Sequence, residues 1–368
     1  MSRYTFSLAC TEDDAQLRER MAADWIEGDI AISLRREPSY FAASRLQGSE
    51  AQVVVGRDTA TGRIVAAISR SITTVFLDGQ PRRVGFLSDL RIHREHRNGL
   101  LLARIFHLLR VLDQNEPLPS FALIYDDNER ALASLTGARA GLPLFRPCGR
   151  QIALAIHVRR RRPALPSTAE LRRARAAELP ALVQFLNRHR VGYRWAPVLA
   201  VDDFLPGGRC DTLRAEDFFV AARAGQLCAV MAAWDQSTLR QVHVERYARQ
   251  IAWMRPAYNA FAALRGLPML PACGNELSYL YLSFIAIEND DLTLCAALLR
   301  HVYNALCGGR WLYALAALAE NDPLLPVFSG YSATTSTVGV FEVDFRHHGS
   351  TQTPPSVTPH ARVEFALT

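Results

Sequence analysis

Hydrophobic positions in residues 1–158 alternate between the two-residue period of a strand and the period near 3.6 of a helix. Thr11 followed by Asp14 marks a helix start, and Pro38 lies near the start of the next helical segment. Three consecutive apolar runs joined by short turns predict an antiparallel meander. In chain order, the segments predicted as strands are 4–10, 51–58, 63–77, 82–93, 120–127, 142–147 and 149–158, and those predicted as helices are 11–28, 37–46, 100–110 and 128–137.

The second half of the chain repeats this plan less cleanly. The stretch 241–271 is predicted as a helical insertion that the first half lacks. Residues 347–360 are poor in apolar side chains and are expected to be loose, while 361–367 has the pattern of an edge strand. The predicted helices of this half are 177–190 and 292–306, and the predicted strands are 217–235 in two pieces, 277–287, 311–320 and 338–345.

The repeated plan and the length together predict two domains. At roughly 100–200 residues per domain, 368 residues are enough for two hydrophobic cores. We expect an N-terminal domain at 1–158, an arginine- and proline-rich linker at 159–175, a C-terminal domain at 176–346, and a loose tail with a final strand at 347–368. The expected fold class is α/β, more narrowly α+β, with a mixed and mostly antiparallel sheet flanked by helices in each domain.

The stretch 87–110 goes from a half-buried strand, through a turn at Gly99, into an amphipathic helix. The first backbone N–H groups of such a helix have no partner within it, and the positive end of the helix dipole lies behind them. This geometry suits an anion, above all a phosphate. His96, Arg97 and Asn98 add hydrogen-bond donors and positive charge. A plain strand–helix connection without a ligand has the same pattern, so the turn alone leaves both interpretations open.

Lysine is absent from the chain, and every basic side chain behind the net charge of +6 is an arginine. This composition excludes Schiff-base chemistry, a lysine general base and a lysine that cradles phosphate. Arginines cluster at 159–162 and 172–175, a pattern found in nucleic-acid-binding patches. The prolines among them and the lack of interleaved aromatic residues favour a solvated linker, so nucleic acid is not the expected partner.

The seven cysteines are scattered and form no Cys-x-x-Cys pair, which is typical of buried, reduced thiols. Histidines come close together at His93 with His96 and at His347–His348, without acidic or thiol partners at ligand spacing, so no metal site is expected. The first residues lack the pattern of a secretion signal, and no apolar run reaches the roughly 20 residues of a membrane span. A cytoplasmic protein without a membrane partner is therefore expected.

Taken together, the meander, the strand ending in LRIHREHRNG, the helix after it and the later DDNERALASL resemble the GNAT superfamily of acyl-CoA-dependent N-acyltransferases. The resemblance covers most of residues 4–158, and a weaker copy spans the stretch 170–345. Family members follow an L-x-V strand pattern with R-x-x-G-x-G/A, whose backbone N–H groups hold the pyrophosphate of CoA. Leu90 and Ile92 match the strand pattern.

The resemblance implies that the first half binds acetyl-CoA or another acyl-CoA as donor. If His96 takes the place of the motif's arginine, Gly99 matches its first glycine and Leu101 stands at its final Gly/Ala. If Arg97 is aligned with the arginine instead, the turn is one residue out of register. The second family signature is an Asn that opens a later helix, and Asn128 matches it. The implied donor-binding residues are Leu90, Ile92, His96, Arg97, Asn98, Gly99, Leu100, Leu101 and Asn128.

Two departures from the family pattern bear on the chemistry. Leu135 occupies the position at which many members carry a tyrosine that protonates the departing thiolate, so the usual acid is missing. At the second strand–helix junction, Glu288, Asp290 and Asp291 stand where phosphate would lie. Carboxylates at a phosphate site repel the ligand by several kcal/mol unless they are neutralised. We therefore assign CoA to the first half.

Acyl transfer to an amine needs an unprotonated amine, a polarised thioester carbonyl and a proton for the leaving sulfur. By family likeness the carbonyl accepts a backbone N–H from the strand near Ile92, where the sheet splays apart. Asp89 is the first candidate base, because a carboxylate within an apolar strand can have its pKa raised towards neutrality. An ion pair between Asp89 and Arg91 or Arg83 is the alternative interpretation.

Further candidate side chains lie near the expected strand ends and on the second predicted helix. Asp126 and Asp127 end the next strand and are further candidate bases. Tyr125 is the candidate acid in place of the missing tyrosine, although a strand tyrosine also serves as core packing. Tyr40 and Phe41 are candidates for the acceptor pocket, as that region is in relatives, or for ordinary packing.

These patterns predict a tandem GNAT-like enzyme. It would transfer an acyl group, acetyl or longer, from a CoA or carrier-protein thioester to an amine of a small molecule or peptide. The alternative is a non-catalytic GNAT-fold protein that binds a ligand or a partner, which the missing tyrosine and the altered phosphate turns favour. The sequence leaves the amine, the acyl length and the oligomeric state open, with a homodimer among the candidates.

Overall fold

The structure, a computed structural model of the chain, describes residues 3–97, 100–137, 139, 141–346 and 361–368. The strands, in chain order, are β1 Tyr4–Leu8, β2 Ile30–Arg35, β3 Glu50–Asp58, β4 Ile64–Leu77, β5 Gln80–Ile92, β6 Ser120–Tyr125, β7 Leu144–His157, β8 Glu170–Arg173, β9 Phe218–Arg223, β10 Gln226–Trp234, β11 Gln241–Tyr247, β12 Tyr279–Ile287, β13 Tyr313–Ala319 and β14 Ala333–Asp344. The α-helices are α1 Asp14–Ala23, α2 Tyr40–Ser44, α3 Leu100–Asn115, α4 Glu129–Leu135, α5 Leu179–Arg190, α6 Arg249–Arg265, α7 Leu292–Leu306 and α8 Leu325–Ser329.

A sheet of twelve strands runs through the described part of the chain in the order β1-β3-β4-β5-β6-β14-β7-β13-β12-β10-β9-β8, and β2 with β11 forms a separate antiparallel pair. Strand β14 from the second half lies between β6 and β7 of the first half, while β7 lies between β14 and β13. The two halves of the sequence therefore interlock by exchanging strands. The sheet repeats approximately about the β14–β7 pair.

Helices cover the sheet on both sides. On one face α3 packs through Leu101 and Ile105, and α7 covers the same face further along the sheet. On the opposite face α1 packs through Leu17 and α5 through Leu182. We call these sides the α3–α7 face and the α1–α5 face. Because successive side chains of a strand point to opposite faces, the strand register decides which residues meet which layer.

Several parts of the architecture differ from the sequence prediction. The two short strands predicted at 142–147 and 149–158 form the single strand β7, whose pairing with β14 shifts register midway. The insertion at 241–271, predicted as helical, also contributes strand β11, which pairs with β2. The segment 361–367, predicted as an edge strand, forms an isolated bridge at Ala361 and a short 3-10 turn. Each difference depends on contacts with distant residues rather than on local pattern.

The predicted linker is tied to the body of the protein at both ends. Strand β8 lies in its second part and pairs with β9. Arg162, from the arginine run, lies over the rings of Tyr303 and Tyr331. One continuous sheet crosses the predicted boundary, so the domain limits stay a prediction.

Expectations on membrane spans, thiols and metal ligands can each be compared with the described residues. Of the described helices, not one is long and apolar enough to span a lipid bilayer. Cys10 and Cys273 are exposed, so the expectation of buried thiols is wrong for these two residues, whereas Cys210, Cys228, Cys295 and Cys307 are buried. Within the described residues, no three His, Cys, Asp or Glu side chains come together as metal ligands would.

Candidate functional site

The parallel strands β5 and β6 diverge inside the sheet. Their register runs from Gly85 opposite Ser120 to Leu87 opposite Ala122. Beyond that point β5 stays paired with β4, and β6 stays paired with β14. We call the resulting opening the first gap. It lies where the family resemblance implies splayed strands.

Backbone groups on the open edge of β5 point into the first gap. His93 N–H donates to a carbonyl of β4, and hydrogen-bonding direction alternates along a strand, so the groups of Leu90 and Ile92 point the other way. Two guanidinium groups already hold their carbonyls: Arg91 Nη1 donates to Leu90 O at 3.3 Å, and Arg97 Nε donates to Ile92 O at 2.7 Å. The Leu90 and Ile92 N–H groups are thus placed to meet a polar ligand.

A β-bulge turns Asp89 towards the α1–α5 face. The β4–β5 register shifts opposite this residue, and its φ of 54° lies in the left-handed region that non-glycine residues rarely adopt. Ser88, on the same face, donates to Gln47 Oε1 at 3.2 Å, while Leu90 returns to the core of the α3–α7 face. Such backbone conformations cost free energy and cluster at functional sites.

Two donors from the first half hold Asp89. Its Oδ2 atom forms an ion pair with Arg36 and accepts a hydrogen bond from Tyr40 Oη at 3.1 Å. The Arg36 and Asp89 side chains are 5% and 11% exposed. Within the described residues Oδ1 makes no hydrogen bond. The alternative interpretation from the sequence, an ion pair of Asp89 with Arg91 or Arg83, is wrong. The bulge points the carboxylate at Arg36, just after β2, and Arg83 pairs with Glu116 instead.

Tyr40 and Phe41 are neighbours on α2 with different surroundings. Tyr40 is buried, and desolvation raises the pKa of its phenol, so it stays a donor to Asp89. Phe41 instead borders an open pocket of about 380 Å³, lined also by Ala42, Arg45, Gly48, Ser49 and Ala51. Of the two predicted acceptor residues, Tyr40 is therefore the one in contact with the Asp89 carboxylate.

Tyr125 ends β6 on the same face as Asp89. Alternation along β6 puts Phe121 and Leu123 in the cluster on the α1–α5 side, and Tyr125 follows in that series. Desolvation raises the pKa of its phenol, and nearby Tyr281 adds to the effect. The residue as a whole is 40% exposed. Tyr125 is thus a protonated phenol at the rim of the first gap.

The turn between β5 and α3 is described as far as Arg97 and again from Leu100. The predicted donor-binding residues Asn98 and Gly99 lie outside the described residues. Leu100 is exposed at the first position of α3, whereas Leu101 is buried in the core of the α3–α7 face. Leu101 can therefore offer its backbone, but not its side chain, to a ligand at the start of α3.

His96 and Arg97 point in different directions. Tyr4 Oη lies 3.0 Å from His96 Nδ1, so the imidazole packs against β1. Arg97 reaches back over the end of β5, with Asp24 at 3.7 Å. Burial lowers the pKa of Arg97, and the charge of Arg130 on α4 lowers it further. The two guanidinium groups together give the turn a positive surrounding.

Asn128 is the N-cap of α4. Its Oδ1 accepts the Ala131 N–H at 3.1 Å, and its own N–H donates to Tyr125 O at 3.0 Å. Satisfying the first amides of a helix in this way is the ordinary role of Asn at this position. The same bonds hold the end of β6 and the start of α4 together at the first gap.

The second half repeats both the gap and the bulge. Strands β12 and β13 pair as far as Leu282 opposite Ala316 and then diverge. Phe284, with a φ of 52°, stands at the register shift between β10 and β12, in the place that Asp89 has in β5. Phe284 is buried among apolar side chains. The second gap therefore has a phenylalanine where the first has a carboxylate.

The C-terminal segment fills this second gap. Arg362 Nη2 donates to Ile285 O at 3.4 Å, and Glu364 Oε2 accepts the Phe284 N–H at 3.0 Å. Glu364 also pairs with the buried Arg190 at 2.5 Å. A cavity of about 20 Å³ is left among these residues, room for about one water. The chain itself thus satisfies the strand edge that corresponds to the open edge of β5.

The second strand–helix turn is also closed by the chain's own groups. Asp291 is the N-cap of α7, and its Oδ1 accepts the N–H groups of Thr293 and Leu294, both at 3.0 Å. The bond from Leu294 N–H and the other hydrogen bonds lower the pKa of the Asp291 carboxyl. This carboxylate occupies the amides that a phosphate would need.

Sequence reasoning missed the arginines that surround Asp89. Arg36 follows β2, a strand without a clear local pattern, and Arg240 precedes β11. Arg240 is 8% exposed; its Nη1 donates to Ala366 O and Thr368 O, while Nε and Nη2 make no hydrogen bond within the described residues. The charges of Arg36 and Asp89 both act on Arg240. The three side chains form one cluster between the halves, visible once β2 is paired with β11.

Comparison with solved structures finds this architecture in acyltransferases. Saccharomyces cerevisiae N-myristoyltransferase with bound myristoyl-CoA aligns with a TM-score of 0.60 at 11% identity, over 93% of this chain and 83% of that chain. A GCN5-related N-acetyltransferase from Sphaerobacter thermophilus aligns with a TM-score of 0.59 at 10% identity, over 95% and 98%. No protein-family model matches the chain, and no curated protein matches it significantly. The likeness shows the fold: this chain has a GNAT-like fold, with a mostly antiparallel sheet flanked by helices, as the sequence resemblance predicts.

Proposed function

We propose that the protein is an N-acyltransferase that moves an acyl group from an acyl-CoA thioester to an amine in the first gap. One observation carries the proposal: the two gaps of one sheet differ. The first has an open strand edge beside a carboxylate, and the second is filled by the C-terminal segment. Solved proteins of the same fold support the reaction class, since they are named as N-acyltransferases and two were crystallised with myristoyl-CoA.

The donor would lie along the open edge of β5. The pantetheine arm can lie along β5 as a short additional strand would, with one of its amide carbonyls accepting the Ile92 N–H. The diphosphate would meet the start of α3 at Leu101 and the positive end of the helix dipole. Asn128 borders the opposite side of the gap.

Charge at the turn favours the same placement. Arg97 and Arg130 supply positive charge, and Asn98 and Gly99 are donor-binding residues that the sequence predicts. His96 would contribute its backbone, because its ring is engaged with β1. A diphosphate that receives charge-assisted hydrogen bonds from arginine is bound more strongly than one that meets neutral donors.

The acceptor amine would enter from the α1–α5 face, where Asp89 and Tyr125 lie on either side of the gap. Asp89 Oδ1 would take the proton of the amine, while Oδ2 stays fixed by Arg36 and Tyr40. The amine nitrogen then bonds to the thioester carbon. The carbonyl oxygen becomes an oxyanion, which the Leu90 N–H, next to Asp89 and close to Ile92 on the same strand edge, would stabilise.

Breakdown of this intermediate breaks the C–S bond and releases the remaining extra proton of the nitrogen to solvent, which leaves a neutral amide and a thiolate. We assign the proton for the thiolate to Tyr125, whose raised pKa keeps it protonated at neutral pH. Asp126 is less suited than Asp89 as the base, because it lies beside Gly339, which pairs with Ile124 on the α3–α7 face, whereas the acceptor would enter from the α1–α5 face. Asp127, close to Tyr125, can return a proton from solvent to the phenol.

The acceptor would be a small-molecule or peptide amine that reaches across to the second half. Arg240 has two guanidinium nitrogens without a hydrogen bond in the described residues. They can donate to a carbonyl or carboxylate oxygen of the acceptor. Tyr281 and Tyr279 lie close to the same arginine and would line this side.

Calorimetric titration with acetyl-CoA and with myristoyl-CoA tests the donor site. We expect one donor per chain, because the second gap is filled and Asp291 caps the second turn. Arg97→Glu should weaken binding by about tenfold or more, since it reverses a charge beside the diphosphate. Arg63→Glu is the matched control, with the same charge change at an exposed ion pair.

Three results would count against the proposal. Failure of both donors to bind at millimolar concentration would remove the donor site. Two donors per chain would contradict the assignment to the first gap. Donor binding without amine-dependent release of free CoA, across a panel of small amines and peptides, would identify a non-catalytic ligand-binding protein instead.

A further inference from the structure

Helix α6, in the insertion that the first half lacks, has two polar side chains, Arg255 and Asn259, on its inward side. Its less exposed residues are Ile251, Arg255, Asn259 and Ala262, spaced four, four and three apart, which is one helical stripe. Two of these four side chains are polar. The side of α6 that faces the protein is therefore not the apolar side.

Hydrogen bonds, rather than an apolar core, fix this orientation. Asn259 Nδ2 donates to Leu270 O at 2.9 Å, and Leu270 N–H donates to Asn259 Oδ1 at 2.9 Å. Arg255 Nε donates to the same Leu270 carbonyl at 3.3 Å, and Tyr258 Oη donates to Pro268 O at 3.3 Å. These bonds tie the helix to the loop that follows it. Rotation of α6 to bury its other side would break them.

The outward side of α6 carries large apolar side chains. Trp253 is 84% exposed and Leu264 is 86% exposed, with Met254 at 58% and Phe261 at 46%. At about 100° per residue, these four side chains fall within an arc of about 100°. Met269, just beyond the helix, is exposed as well. A continuous apolar surface of this kind marks an interaction site.

Charge along the same segment has one sign. Residues 246–274 contain four arginines and no aspartate or glutamate. Arg249 and Arg265 lie at the two ends of α6 and are exposed, and Arg265 lies over the ring of Phe261 at 5.5 Å. The partner of this surface therefore carries negative charge.

We propose that α6 is an interfacial helix that docks the protein onto an anionic lipid surface. Trp, Phe, Met and Leu on one side with arginine at the margins is the composition of helices that lie in the headgroup region. A second copy of this chain is a poorer occupant, because a twofold contact would bring two acid-free, arginine-bearing segments together.

The sequence analysis expects no membrane partner because no apolar run is long enough to cross a bilayer. Docking by α6 requires no crossing, since an interfacial helix lies parallel to the surface with one side among the acyl chains. Each arginine near such a surface adds attraction to anionic lipid, and salt screens this attraction.

Vesicle co-sedimentation of the full chain tests this proposal. We expect binding to phosphatidylcholine vesicles that contain about one-third phosphatidylglycerol, weak binding to phosphatidylcholine alone, and loss of binding in about 0.5 M NaCl. The double variant Trp253→Glu, Leu264→Glu should bind these vesicles at least about tenfold more weakly, because it removes two inserting side chains and adds charge. Trp25→Glu is the control, since Trp25 is also exposed but lies outside α6.

Retained thermal unfolding temperature in the variants would show that they are folded, which is expected for exposed positions. Equal binding of the α6 variant and the wild type would overturn the proposal. So would absence of binding to the anionic vesicles. A dimer in light scattering that the α6 variant dissolves, without vesicle binding by the wild type, would assign the surface to a second copy instead.

Discussion

The substitution Asp89→Asn removes one negative charge from the cluster beside the first gap and keeps the size of the side chain. Arg36 would lose its ion-pair partner while remaining 5% exposed, and Tyr40 could still donate to the amide oxygen. Removal of one partner from a buried pair costs about 3–5 kcal/mol. A retained neutral hydrogen bond offsets about 1 kcal/mol of that. We expect the free energy of unfolding to fall by about 2–4 kcal/mol.

The second half contains a matched pair. Arg190 and Glu364 are 6% and 11% exposed, close to the values of Arg36 and Asp89. Glu364→Gln should therefore lower the free energy of unfolding by a similar amount. It should leave acyl transfer nearly unchanged, whereas Asp89→Asn should lower kcat by about 100-fold or more, the usual contribution of a general base.

Urea unfolding followed by circular dichroism gives the first quantity, and amine-dependent release of free CoA gives the second. A change in unfolding free energy below about 0.5 kcal/mol in Asp89→Asn would refute the reasoning about the buried pair, since exposed substitutions have effects of that size. Equal loss of turnover in both variants would trace the effect to stability and remove Asp89 from the chemistry.

Further predictions concern a phenol, a helix cap and the thiols. Tyr125→Phe should lower kcat by about tenfold or more. Because the pKa of Tyr125 is raised, the kcat of the wild type should not fall on the alkaline side below about pH 10. An unchanged kcat in Tyr125→Phe would exclude Tyr125 as the acid. Asp291→Ala should cost about 1 kcal/mol in urea unfolding by removing the N-cap of α7. Because folding lowers the pKa of Asp291, this stabilisation is present above the unfolded-state pKa and is lost as the pH falls through the lower folded-state pKa. A thiol reagent should modify Cys273 faster than Cys10, because a hydrogen bond with Glu12 raises the pKa of Cys10 and lowers its thiolate fraction. Rapid modification of the buried thiols in the folded protein would contradict their burial.

Local patterns were sufficient to predict the elements that surround the first gap. The meander strands, β5 and α3 each carry their own period, so no knowledge of their partners was needed. Asn128 at the start of α4 was predicted for the same reason, because helix caps depend on adjacent residues. The duplication of the plan could also be seen, since strand, turn and helix recur in the second half.

Contacts between distant segments could not be predicted. The pairing of β2 with β11 joins Ala31 to Arg246, and the exchange of β7 and β14 joins the halves through long ladders. The local sequence pattern of a strand does not indicate which distant strand it pairs with. Arg36 was missed because β2, the strand before it, is recognisable as a strand only through its pairing with β11.

The bulge at Asp89 leaves no mark in the sequence, since Ser88 and Asp89 read as ordinary strand residues. Partners for the carboxylate were therefore sought along β5 itself, at Arg91 and Arg83. The structure supplies Arg36 from across the α1–α5 face. The role of residues 361–364 in the second gap was hidden in the same way, because their apolar and polar alternation resembles an edge strand.

A crystal structure of the protein with myristoyl-CoA, or with a thioether analogue that cannot transfer its acyl group, tests the central claim most directly. The account predicts pantetheine density along Leu90 and Ile92, diphosphate density at the start of α3, and residues 361–364 still in the second gap. Donor density between β12 and β13, with the C-terminal segment displaced, would contradict it.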